Sequence, residues 1–85
     1  MRKESLEFLK DLIAAPSPSG FEQPAQAVVR VRMEQYADDI STDVHGNVTV
    51  VKNPDHPFRV MLAAHCDQVG MMVQHINDEG YLYFA

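Results

Sequence analysis

The sequence predicts an α/β or α+β unit, two helices followed by mixed sheet strands, and three observations carry that prediction. Leu6, Leu9, Leu12 and Ile13 recur at helical spacing in "SLEFLKDLIAA". After Asp38-Asp39 the apolar period changes to two. "FRVMLAAH" (58–65) then runs apolar with little alternation, as strands covered on both faces do. On this order of elements the chain is read as α/β.

The first helix has Ser5 as its candidate cap. "PSPSG" (16–20) stops it, because two prolines and a glycine cannot continue a helix. A second helix places Ala25, Val28, Val29 and Tyr36 on one face, with the stem of Arg32 able to lie along it. Ser19 and Glu22 have the spacing of a capping box, but Pro24 would then fall too deep in the helix. A start near Gln23, with Pro24 in the first turn, fits better. Ile40, Thr42 and Val44 alternate, "HGN" (45–47) turns the chain, and Val48 to Val51 returns. "NPDHP" (53–57) is a second turn before the 58–65 strand. "GMMVQHI" (70–76) is another extended segment, "NDEG" (77–80) a turn, and "YLYFA" begins a further strand.

Bulk properties narrow the function classes. Eighty-five residues make one small domain, a size that buries only about 60–65% of its unfolded surface. Composition is that of a globular protein, 46% apolar and 22% charged. Seven basic residues against twelve acidic ones leave no stripe to meet phosphates, which argues against nucleic acid and anionic membrane as partners. No stretch approaches the ~20 apolar residues of a membrane span. The start, "MRKESLEFLKDL", is too interrupted by charge for a signal peptide. Cys66 is the single cysteine and has no internal disulfide partner, so a reducing cytoplasm is the expected location.

"LAAHCDQVG" (62–70) carries the chemistry. In extended chain, residues two apart share a side at roughly 6.5–7 Å spacing, so His65 and Asp67 are expected on one face and Cys66 on the other. A neutral imidazole is a good zinc or cobalt ligand. A carboxylate beside it can accept the other ring proton and raise its basicity. A lone His-x-Asp is common, however, and a strand ending in a polar turn explains it equally well.

The surrounding motifs tip that balance. "SPSGFE" (17–22), "DVHGNV" (43–48), "VMLAAHCDQVGMMV" (60–73) and "INDEGYLYF" (76–84) follow in one order at close spacing. Together they resemble the amino-terminal segment of metallopeptidase family 42, cytoplasmic two-metal aminopeptidases. The resemblance covers almost the whole chain. It implies that His65 binds one of two divalent ions, zinc or cobalt, and that Asp67 is the catalytic carboxylate that steers it. It implies peptide substrates and a homo-oligomer in the complete enzyme. It further implies that residues 1–68 belong to the catalytic domain and 69–85 open an inserted β-rich dimerisation domain. The family commonly has Glu in place of Gln68, and often Met in place of Cys66. Gln68 leaves the metal position intact and removes one charge near it. The family's remaining metal ligands and general base lie downstream of such a segment, so this chain alone is expected to be inactive.

Other residues read as structural. His45 and His56 belong in solvent-facing turns, His75 on a strand, and Asp38-Asp39 in a solvated pair. Cys66 is expected to be a small core residue without a base on its side. Ser19-Gly20 and Gly46-Asn47 are read as turns with no catalytic role. The alternative to an enzyme segment is a non-catalytic truncated remnant, or a small subunit-pairing module acting through its 70–85 strands. A polysaccharide hydrolase would want aromatic platforms beside two carboxylates, and the chain has no Trp.

Overall fold

The computed structural model describes residues 1–85. Helices α1 (Lys3–Ala14) and α2 (Gln23–Met33) are followed by strands β1 (Asp39–Thr42), β2 (Val48–Val51), β3 (Val73–Ile76) and β4 (Leu82–Phe84). The strands form two separate antiparallel pairs, β1 with β2 and β3 with β4.

Helix α1 starts earlier than its sequence suggested. Arg2 is the N-cap and makes no side-chain cap, so Ser5 lies inside the first turn and caps nothing. Helix α2 begins at Gln23 with Pro24 in its first turn, where the missing N–H costs no hydrogen bond. The two helices pack together. The Arg32 guanidinium lies 5.8 Å from the Phe8 ring centroid and 5.7 Å from that of Tyr36, so its stem follows the apolar face as predicted. Arg30 Nη1 donates to Thr42 Oγ1 at 2.7 Å and ties α2 to β1.

Both hairpins turn on the same device. In the first, Asp43 Oδ1 accepts from the backbone N–H of His45 and Asn47, both at 2.9 Å. In the second, Asn77 Oδ1 accepts from the N–H of Glu79 at 3.0 Å and of Tyr81 at 2.9 Å. Gly46 (φ 89°) and Gly80 (φ 85°) then take the left-handed conformation that ends such a turn. Asp38, expected to be merely solvated, accepts from the Asn53 N–H at 2.6 Å and lies 3.7 Å from Lys52 Nζ. It thereby secures the turn after β2.

The predicted strand at 58–65 is absent. Residues 59–67 make no backbone–backbone hydrogen bond. A strand exists only by pairing, and neither hairpin bonds its backbone to residues 59–67. Cover on both faces was expected, yet Val60, Met61 and Leu62 are 72%, 89% and 93% exposed. The extended segment before the third turn is likewise shorter than predicted, with pairing only from Met72, which exchanges backbone hydrogen bonds with Ala85 at 2.9 and 3.1 Å.

Only Ala25 and Ser17 are buried. The chain exposes 7371 Å², against about 5,100 Å² for a compact monomer of this mass. Its radius of gyration is 17.0 Å, where a compact chain of this length would have ~12 Å. Each element forms locally, and there is no common core.

Candidate metal-ligand site

The site is built where the loop after α1 meets the end of the bare apolar segment. Gln68 N–H donates to Ser17 O at 2.7 Å, and Pro18 and Gln68 form an isolated parallel bridge. A Cβ on Gly70 would come within 3.1 Å of Pro18 Cβ, so glycine there permits the close approach. These contacts set residues 17–19 beside 67–70.

His65 Nδ1 and Asp67 Oδ1 are 2.9 Å apart, so the predicted pair does share a face. Ser19 Oγ donates to the other carboxylate oxygen, Asp67 Oδ2, at 2.8 Å. The Ser19 hydroxyl, and secondly the His65 ring, hold the Asp67 carboxyl below the ordinary carboxylate range. An ionised carboxylate only accepts, so Nδ1 donates to it, and in the neutral form of the ring Nε2 keeps its lone pair. The His65 side chain is 86% exposed. This donor chemistry fits one metal-ligand position: an oriented imidazole backed by a carboxylate. It does not fit a complete centre, because no three His, Cys, Asp or Glu side chains cluster anywhere in the chain.

Cys66, expected in a core, is half-buried. Its partial burial pushes the thiol up, and the carboxylates of Glu22 and Asp67 add to this. A thiol so shifted is a poor nucleophile. His45 and His56 are exposed as expected, and His56 Nδ1 accepts from the Phe58 N–H at 3.1 Å. His75 lies on β3 with its ring centroid 5.7 Å from that of Tyr83, a strand residue rather than a ligand. A hollow of about 500 Å³ adjoins the site, lined by Pro18, Ser19, Gln68 and Val69 among others, but neither His65 nor Asp67 lines it.

Ser19 is the residue that sequence reasoning missed. A signal was available: once α2 starts at Gln23 and the capping box is rejected, the Ser19 hydroxyl has no local partner. Glu22, the other half of that box, instead accepts from the Gly20 N–H at 2.7 Å.

The M42 glutamyl aminopeptidase family profile matches residues 46–85. The chain is 38% identical over 78 residues to lysyl aminopeptidase of Pyrococcus furiosus, a match covering 89% of this chain and 22% of that protein. It is 33% identical over 79 residues to glutamyl aminopeptidase of Lactococcus lactis subsp. cremoris, covering 91% and 22%. Among solved structures, a TET aminopeptidase from a marine sediment Thaumarchaeota archaeon superposes with a TM-score of 0.84 at 43% identity, over 98% of this chain and 23% of that one. The chain thus spans about a fifth of the length of these relatives, and over that span it is similar to M42 glutamyl aminopeptidases.

Proposed function

We propose that these residues act as the amino-terminal segment of a metal-dependent aminopeptidase, and that the 85-residue chain by itself has no peptidase activity. The observation that carries this reading is the 2.9 Å contact between His65 Nδ1 and Asp67 Oδ1, in a chain that matches aminopeptidases over nearly all its length. On this reading residues 1–68 belong to the catalytic domain and 69–85 open an inserted dimerisation domain. His65 presents Nε2 to one of two divalent ions, zinc or cobalt, and Asp67 orients its ring. Two such ions, when bound, activate a water and polarise the scissile carbonyl. The part played by this chain is narrower: it supplies one nitrogen ligand and fixes its tautomer.

The complete enzyme would act in the cytoplasm on the amino termini of peptides, as a homo-oligomer. Relatives named for lysyl and for glutamyl substrates match at similar identity, so the match itself selects no residue preference. The test is the mass, in its host, of the polypeptide that begins "MRKESLEF". A product several times heavier than 9.6 kDa is expected, with the purified 85-residue chain inert toward leucine anilides in zinc or cobalt. Turnover by the 85-residue chain would sink the proposal.

A second reading is favoured by one observation, the bare apolar surface of Val60, Met61 and Leu62. On it the chain is a non-catalytic module that pairs with another subunit. A host product of 9.6 kDa that copurifies with a larger protein would select it.

A further inference from the structure

We infer that Ser19 is a positioning residue for His65, acting through Asp67. The carboxylate of Asp67 is gripped at both oxygens, Oδ1 by His65 Nδ1 and Oδ2 by Ser19 Oγ. With one oxygen held by the hydroxyl, rotation of the carboxylate away from the ring must break a second hydrogen bond. Ser19 therefore biases His65 toward the Nδ1–H tautomer, whereas an unconstrained neutral imidazole favours Nε2–H. Only the Nδ1–H form leaves Nε2 free for a ligand.

The backbone around Ser19 is arranged to deliver that hydroxyl. Before it, Ser17 O accepts from the Gln68 N–H at 2.7 Å, and Pro18 O accepts from the Phe21 N–H at 2.8 Å, which closes a turn over Ser19 and Gly20. Gly20, at φ 91°, turns the chain immediately afterwards, and its N–H is held by Glu22 Oε1. Ser19 thus sits between two pinned neighbours, and Asp67 is the only hydrogen-bond partner of its hydroxyl. The consequence for metal binding rests on the aminopeptidase reading, but the relay from Ser19 through Asp67 to His65 does not.

The experiment reads the relay without metal or turnover. In the 85-residue chain with ¹⁵N-labelled histidine, ring-nitrogen shifts recorded at alkaline pH report the His65 tautomer directly. Ser19→Ala is expected to lower the ratio of Nδ1–H to Nε2–H by about 2- to 10-fold, the effect of one ordinary hydrogen bond. Ser19→Thr should restore it, because the hydroxyl returns. In an Asp67→Ala background, Ser19→Ala should change nothing further, since the carboxylate that transmits its effect is gone. Protection of the Gln68 amide from exchange should survive Ser19→Ala, because that bond is made to Ser17. An unchanged ratio in Ser19→Ala, or an equal change in the Asp67→Ala background, overturns the inference. So does loss of Gln68 protection in either Ser19→Ala or the parent chain. None of these results bears on whether the host makes a larger aminopeptidase, so the two proposals fail separately.

Discussion

Asp43 shows how much one carboxylate can organise without burial. Its side chain accepts three hydrogen bonds within its own turn, two from the Asn47 side chain and backbone and one from the His45 backbone. The Asn47 side-chain bond, first among these, holds the carboxyl below its ordinary range. A depressed native value means that the turn is favoured by ionised Asp43 above the unfolded value of ~3.9. That contribution is lost as pH falls through the lower native value. Amide exchange at His45 and Asn47 should therefore stay slow through neutral and mildly acid pH and quicken only below the ordinary carboxylate range. Asp43→Ala should make both amides exchange fast at every pH, with the β3–β4 hairpin unaffected. Equal protection in the variant would show that Gly46 and the strands hold the turn unaided.

At the scale of elements, local signals and pairing divide cleanly. Turns and helices were legible because their hydrogen bonds close within a few residues. "HGN" and "NDEG" mark the two hairpins, and Pro24 marks the start of α2. The strand predicted at 58–65 failed because composition records a wish for burial but supplies no partner. Amides of residues 59–64 should accordingly exchange at unprotected rates, while those of Ser41 and Thr49, directly opposed across β1 and β2 in step with the Asp43–Asn47 hydrogen bond, exchange more slowly. Uniform protection of 59–64 would mean that the segment pairs after all. The second hairpin is the more fragile of the two, being exposed on both faces. A side chain at Gly80, whose φ is 85°, costs about 1–2 kcal/mol, and isolated two-stranded hairpins are marginal in water. Gly80→Ala should erase the cross-strand contact of His75 with Tyr83, visible as a lost nuclear Overhauser effect.

The whole molecule is governed by what it leaves uncovered. An excess of roughly 2,300 Å² over a compact chain of this mass removes most of the apolar burial that drives cooperative folding. Urea should therefore produce a shallow transition, with an m-value of about 1 kcal/mol/M or less, in circular dichroism. Small-angle scattering of the monomer should give a radius of gyration near 17.0 Å rather than the ~12 Å of a compact chain. A steep transition with the smaller radius would show a core that the present arrangement lacks. No helix is long and apolar enough to cross a membrane.

The sequence by itself determined the two helices, both hairpin turns, and the sharing of one face by His65 and Asp67. All of these follow from spacing along the chain, where dihedral preference and side-chain period act over a few residues. Tertiary structure alone decided that Ser19 meets Asp67 across 48 positions, that Asp38 secures the Asn53 turn, and that 58–65 has nothing to pair with. Those outcomes depend on which distant backbones lie side by side, and a contact between remote residues leaves no period in either neighbourhood. Ser19 is the sharpest case. Its local pattern advertises a helix cap, and only the bridge of Pro18 with Gln68 turns its hydroxyl to the histidine's carboxylate.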